Sequence, residues 1–199
     1  MKYVSIDIET TGLNPETCQI LELAAVVDDL RTQKPLDQLP KFQTLVRHPF
    51  YQGEPYALAM HPAIFKKLAA APPNLDHPSG DGIIDVEGVM AKFFNFLTGP
   101  GGYNPGDTIV PAGKNFAAFD KNFIDKLPDR YRIRFRHRTL DPGMLFIRLG
   151  EDLEPPDSKK CMERAGLAGE VAHTALEDAL MVVKLLRIGF NSHPNQRPR

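Results

Sequence analysis

Asp7 and Glu9 stand two residues apart in a mostly apolar run, Tyr3-Val4-Ser5-Ile6-Asp7-Ile8-Glu9, that closes on Thr10-Thr11-Gly12. Successive side chains of a strand alternate between faces, so both acids project from the same face. Two carboxylates at the end of a buried strand repel each other and resist desolvation unless a cation lies between them. A hard divalent ion such as Mg²⁺, which prefers oxygen ligands, meets that need. A solvated strand end running into a loop would show the same residues, so the pair needs support from elsewhere in the chain.

Two other places carry acids at informative positions. In Gly113-Lys114-Asn115-Phe116-Ala117-Ala118-Phe119-Asp120 a strand, a turn and a helix place Asp120 in the first turns of that helix. Ala117 and Ala118 leave room for close approach, although an acid there is also an ordinary partner of the helix dipole. In His173-Thr174-Ala175-Leu176-Glu177-Asp178, Thr174 and Glu177 fit a capping box with its N-cap at Thr174. His173 then precedes the cap and Asp178 is the fourth helical residue, the two positions that meet in a hydrophobic staple. That brings an imidazole beside a carboxylate, as would a plain capped surface helix with a local His–Asp contact.

The elements that must position these groups read as strands interleaved with helices. Strands are expected at 3–8, 20–28, 42–46 and 108–112, the first two close enough in the chain to pair antiparallel. Residues 10–15 form a turn rich in Gly, Asn and Pro. The segment 56–60 is apolar and ambiguous, and His61-Pro62 opens a helix over 63–70. Residues 71–82 read as a loop. Asp85 is positioned to cap a helix over 86–97 whose Val89, Phe93, Phe96 and Leu97 share a face. Further helices are expected at 117–126, 142–149, 158–165, where Gly166 stops the chain, and 175–188. Residues 131–139 alternate, with Arg130, Arg132, Arg134, Arg136 and Arg138 on one side and Tyr131, Ile133 and Phe135 on the other, which predicts a half-buried strand. The arginine row suits tracking of phosphates and equally the guarding of a sheet edge against pairing with other chains. The pattern gives an α/β class with a mixed sheet, one domain over 1–190 and a flexible tail over 191–199.

Hydrophobic residues make up 42% of the 199, enough for one domain with its own core and too many for a disordered chain. No run approaches the length of a membrane span, and the first residues lack the apolar centre of a signal peptide, so no membrane partner is expected. The two cysteines, Cys18 and Cys161, have no metal-ligand spacing and read as packing residues of a reducing, cytoplasmic setting. With a net charge of −1, a nucleic acid would have to be held by local charge and bound cations rather than by a global positive field.

Taken together, Asp7-x-Glu9 followed by Thr-Thr-Gly-Leu, then Asn115 with Asp120, then His173 and Asp178 resemble the motifs of the DEDDh 3′–5′ exonucleases, which include proofreading subunits, oligoribonucleases and RNase T. Each motif is weak alone, and the three in order span Asp7 to Asp178. The resemblance implies an RNase H-like fold, a five-stranded mixed sheet with its second strand antiparallel, flanked by helices. It implies that Asp7, Glu9, Asp120 and Asp178 hold two divalent ions, Mg²⁺ or Mn²⁺, and that His173 is the general base. It further implies a turn, Thr10, Thr11, Gly12 and Leu13, that takes the terminal nucleotide, with Asn115 nearby. Residues 56–61, Met60 among them, are placed to form a second wall of the base pocket, although Leu58 and Met60 equally suit a core. One departure is visible: the position before Asn115, often His in relatives, is Lys114.

The expected activity is hydrolysis at the 3′ end of single-stranded DNA or RNA with release of 5′-monophosphates. An oligoribonuclease or RNA-trimming role competes with DNA proofreading, because no residue pattern reports a contact to the 2′-hydroxyl. A relative that binds nucleic acid without cutting it is the non-enzymatic alternative, opposed by the intact acid set. Family members are often homodimers, and no pattern here selects an oligomeric state. His48, His61, His77, His137 and His193 read as surface or packing residues. Glu22 reads as a group near the site but not a ligand.

Overall fold

The structure is a computed structural model that describes residues 1–71, 82–167 and 174–192. Its strands are β1 (Lys2–Thr10), β2 (Ile20–Asp29), β3 (Lys41–Arg47), β4 (Ile83–Asp85), β5 (Thr108–Ile109), β6 (Pro111–Ala112) and β7 (Arg134–Phe135). Five of them form one sheet in the order β4-β3-β2-β1-β6, and β5 and β7 form a small second sheet. Strand β2 is antiparallel to both its neighbours, while β4 runs parallel to β3 and β6 parallel to β1. This is the expected mixed sheet with an antiparallel second strand. A parallel bridge from Leu140 to Ala112 carries the pairing one step beyond β6.

The helices are α1 (Pro55–Met60), α2 (Pro62–Ala70), α3 (Val89–Thr98), α4 (Asp120–Ile124), α5 (Ser158–Arg164) and α6 (Ala175–Ser192). Alternation along β1 divides its side chains between two layers. Val4, Ile6 and Ile8 join the apolar face of α3 (Val89, Met90, Phe93, Phe96 and Leu97) and Phe123 and Ile124 of α4 in the larger core. Tyr3 of β1, Val26 of β2 and Ala112 of β6 pack with Ala179, Val182, Val183 and Leu186 of α6. The small Ala179 lets α6 approach β1, and the Ser5 hydroxyl donates to the Ala179 carbonyl at 2.8 Å. Deeper along the helix, Arg187 donates to both oxygens of the buried Asp28, at 2.6 and 3.0 Å, and the Tyr3 hydroxyl donates to the same carboxylate at 2.8 Å. Together these bonds set the axial position of α6 on the sheet, and with it the position of Asp178. Among the described residues no helix is long and apolar enough to cross a membrane.

Several local expectations change. The stretch 131–139 is not a continuous strand: Arg130–Arg132 is a 3-10 turn entered through a left-handed Asp129, and only Arg134 and Phe135 pair. Their partner β5 has two residues, because the chain passes at Val110 into β6, so no ladder exists to lengthen β7. The expected strand 108–112 is split for the same reason. Asp85 ends β4 and forms an ion pair with Arg47 at 2.5 Å instead of capping, and α3 begins only after the 3-10 turn Val86–Gly88. The helix expected at 117–126 shortens to α4, and the one at 142–149 to a 3-10 turn, Pro142–Leu145. The ambiguous 56–60 is helical. Helix α6 runs on through Ser192, into the expected tail, of which 193–199 lie outside the described residues, as does nearly all of the expected loop 71–82.

Candidate active site

Strand β1 carries Asp7 and Glu9 on the face that meets the start of α6. The Thr174 side of the capping box forms there: the Glu177 N–H donates to Thr174 Oγ1 at 3.4 Å, while the Thr174 hydroxyl donates to Glu177 Oε2 at 2.5 Å. The Asp178 N–H closes the first turn on the Thr174 carbonyl at 3.1 Å. Asp178 is thereby placed so that one carboxylate oxygen from each of Asp7, Glu9 and Asp178 lies within 4.8 Å of the others.

Asp120 joins them through backbone geometry. Val4 donates its N–H to the Val110 carbonyl, but β6 ends at Ala112, so the Ile8 N–H has no strand partner on that side and hydrogen-bonds the Asp120 carboxylate. Gly113 makes the turn toward α4 close to β1, since a Cβ there would lie 2.9 Å from the Ile6 carbonyl oxygen. Asp120 is buried and stands outside the 4.8 Å group, yet its charge acts on both Asp7 and Glu9.

The electrostatics follow from crowding four acids in a site with little water. Burial, and then the charges of Asp120, Asp178, Glu9 and Glu22, hold the Asp7 carboxyl well above the usual range. Burial and then Asp178, Glu22 and Asp120 push Glu9 up to about 7. Burial pushes Asp120 up to about 7 against the opposing hydrogen bonds from its own N–H and that of Ile8. Such a set is stabilised by a cation that binds oxygen, and the residues fit a hard divalent ion better than a softer metal, since no cysteine lies among them.

The sign of the resulting pH dependence is fixed. Glu9 and Asp120 rise from their ordinary 4.5 and 3.8 to about 7, so between roughly pH 4 and pH 7 the folded chain holds protons that the unfolded chain has released. Their contribution to stability is present below the unfolded values and is lost as pH rises through 7. The melting temperature of the metal-free protein is therefore expected to fall across that window, and saturating Mg²⁺ is expected to flatten the slope. Thermal melts at stepped pH with and without Mg²⁺ measure it, and parallel slopes would show that no cation occupies these acids.

The turn after β1 is braced from below. The Thr10 hydroxyl donates to the Gly12 carbonyl at 2.7 Å and the Thr11 hydroxyl to the Gln52 carbonyl at 2.6 Å, while Thr11 Oγ1 accepts from the Gln19 N–H at 2.8 Å. The lead into α1 is clamped onto this turn: Glu54 donates its N–H to the Thr11 carbonyl at 2.7 Å and accepts the Leu13 N–H on Oε1 at 3.0 Å. Gly53 makes the clamp fit, because a Cβ there would lie 2.2 Å from the Thr11 carbonyl oxygen. Both threonine hydroxyls are thus engaged within the fold. Leu13 stands 72% exposed, and Tyr56 and Met60 of α1 are also exposed. Asn115 adopts a left-handed φ of 60° and its N–H donates to Asp141 at 2.9 Å. It borders a cleft of about 720 Å³ that it shares with Lys114, Asp141 and residues 151–157, a cleft that none of the four acids lines.

His173 lies outside the described residues. A different histidine, read from the sequence as a surface or packing residue, reaches the site: the buried His61, at the junction of α1 and α2, places Nε2 3.6 Å from Glu9 Oε2. In the sequence it stood before a helix-opening proline, at the end of the segment 56–61 read as a second wall of the base pocket. Glu22 also belongs to the neighbourhood. It is the cross-strand partner of Glu9, is buried, and accepts Gln43 Nε2 at 2.6 Å and the Ala175 N–H at 3.4 Å.

No protein-family model matches the chain. It is 29% identical over 184 residues to the DNA polymerase III subunit epsilon of Aquifex aeolicus (strain VF5), an alignment covering 92% of this chain and 77% of that protein. It is 25% identical over 189 residues to the PolC-type DNA polymerase III of Clostridium perfringens (strain 13 / Type A), covering 95% of this chain but 11% of that protein. Among solved structures, the zinc-bound form of an E. coli ExoI–ssDNA complex superposes with a TM-score of 0.67 at 14% identity, covering 98% of this chain and 42% of the other. Cell-death related nuclease 4 (CRN-4) superposes with a TM-score of 0.64 at 16% identity, covering 96% and 64%. At these identities the structural likeness speaks for the fold, and the sequence likeness to the epsilon subunit speaks for descent. The chain is thus similar in sequence to a DNA polymerase III epsilon subunit and in fold to solved exonucleases, and both likenesses support the resemblance to the DEDDh-type 3′–5′ exonucleases.

Proposed function

We propose that the chain removes nucleotides one at a time from the 3′ end of single-stranded nucleic acid, with two divalent cations held by Asp7, Glu9, Asp120 and Asp178. The observation that carries this reading is the convergence of Asp7, Glu9 and Asp178 within 4.8 Å from two elements far apart in the chain. The exonuclease relatives and the fold neighbours bound to single-stranded DNA support the substrate class.

When bound, Mg²⁺ or Mn²⁺ supplies Lewis-acid stabilisation of the phosphate oxygens and acidifies a water near them. The chain's own residues do the rest. Asp7, Glu9 and Asp178 present oxygens from one side, and Asp120, fixed by the Ile8 N–H, supports them with its charge. The carboxylates offset the cations' charge while leaving room for phosphate and water. His173 takes the proton of the attacking water, a role suited to an imidazole, whose ordinary pKa is near neutral. Leu13 and Met60, both exposed, offer apolar surface to the terminal base, and the clamp between Glu54 and the 11–13 turn holds the Leu13 wall in place.

The test is a 5′-labelled single-stranded oligomer incubated with Mg²⁺. A ladder shortening from the 3′ end, mononucleotide 5′-phosphates as product and loss of both with chelator are expected. Cutting of a closed circular single strand at a comparable rate would sink the reading. Matched DNA and RNA oligomers in the same assay report the sugar preference, and the epsilon and ExoI–ssDNA likenesses favour DNA.

A further inference from the structure

Glu22 sits where a neutral residue would cost less. It is 3% exposed and directly opposite Glu9 in the β1–β2 register, on the same face of the sheet. Like charges placed directly opposite destabilise an antiparallel pair. Among the described residues its donors are Gln43 Nε2 from β3, at 2.6 Å, and the N–H of Ala175, the first residue of α6, at 3.4 Å. A glutamine carbonyl has two lone pairs and could accept both without a buried charge. Among the described residues the packing therefore explains an acceptor at this position, but not a carboxylate.

The two contacts point toward the site. Ala175 opens the turn that ends at Asp178, so the bond from Glu22 ties β2 to the helix end that delivers one of the clustered acids. An acid at a helix N-terminus also meets the unpaired N–H groups and the positive end of the helix dipole. Glu22 lies one strand behind Glu9 and is hydrogen-bonded by the first residue of α6. It is thus placed to act on the cluster through the Ala175 N–H and through its charge, without being one of the close-set acids.

We propose that Glu22 is a positioning residue of the cation site, which anchors the first N–H of α6 so that Asp178 reaches Asp7 and Glu9, and adds a further negative charge that strengthens cation binding. This rests on the reading of the four acids as cation ligands. Groups behind metal ligands typically change metal affinity or activity by about 10–100-fold when altered.

The experiment is Mn²⁺ titration calorimetry on the metal-free protein, which reads binding without catalysis, with thermal melts alongside. E22Q keeps an acceptor for Ala175 and removes the charge. It is expected to weaken Mn²⁺ binding about tenfold and to melt at or above wild type without metal. E22D keeps the charge and shortens the reach, and is expected to bind Mn²⁺ between the two. E22A loses both charge and acceptor and is expected to bind weakest and melt below E22Q. In the nuclease assay, E22Q is expected to need more Mn²⁺ for half-maximal rate, with its oligomer KM at saturating Mn²⁺ within about twofold of wild type. E22Q binding Mn²⁺ like wild type overturns the charge contribution, and E22A doing so as well overturns the whole role of Glu22 while leaving the four-acid site standing. A wild-type chain that binds no Mn²⁺ overturns both.

Discussion

Asp7→Asn is expected to reduce turnover at least about a thousandfold while leaving the fold intact. A bound cation stabilises developing phosphoryl charge by several kcal/mol, and about 4 kcal/mol corresponds to roughly three powers of ten in rate. Asp7 sits among Asp120, Asp178, Glu9 and Glu22, which together with burial hold its carboxyl well above its usual range. Neutralising it removes that repulsion, so the variant is expected to melt at or above wild type in metal-free buffer near pH 8. Mg²⁺ should then raise its melting temperature less than it raises that of wild type. Glu9→Gln and Asp178→Asn are expected to behave alike. Asp120→Ala makes the sharper control, because its carboxylate also accepts the Ile8 N–H beside the short β6. If Asp120→Ala melts far lower and still cuts at a normal rate, Asp120 is a structural acid and the four-acid site is misassigned. Activity measured together with melts in both buffers separates these outcomes.

His173→Ala is expected to slow turnover by roughly 10²–10⁴-fold, the usual span for a lost general base, with Mn²⁺ affinity and melting temperature nearly unchanged. His173 immediately precedes Thr174, the cap of the helix that carries Asp178. The cap bonds involve Thr174 and Glu177 themselves, so helix α6 keeps its start in the variant. The wild-type rate is expected to climb as pH rises through the neutral range where an imidazole loses its proton, and that limb should vanish in His173→Ala. Thr174→Ala serves as the contrast: it removes the cap and is expected to cost about 1 kcal/mol of stability with only a modest loss of rate. His61 offers the competing imidazole, 3.6 Å from Glu9. If His173→Ala keeps a wild-type rate and pH profile while His61→Ala loses the limb, the base is misassigned. Rate–pH profiles of both variants against wild type decide it.

Much of this site could be read from short stretches of chain. Strand alternation alone put Asp7 and Glu9 on one face, because the period of two is a property of the extended backbone. The pair Thr174 and Glu177 located the start of α6 and made Asp178 an early helical residue, because capping is satisfied within four residues. The apolar face of α3 was equally local, with Val89, Phe93, Phe96 and Leu97 all buried as their spacing required.

What the tertiary structure decided was which of these local arrangements meet. Asp120 by itself read as an ordinary helix-dipole acid, joined to the others only by the family resemblance; in the fold its charge acts on Asp7 and Glu9, and β6 ends early enough to leave the Ile8 N–H for its carboxylate. His61 stands against Glu9 at the end of α1, whose lead Glu54 and Gly53 clamp onto the 11–13 turn, through long-range contacts that leave no pattern in composition or period. The alternation over 131–139 failed as a strand for a related reason: a period of two reports which side chains suit burial, but a ladder needs a neighbour, and β5 provides two residues. Local sequence sets what each segment can be. Proximity between segments depends on strand order, helix seating and the ends of neighbouring strands, which are settled by burying the whole chain at once.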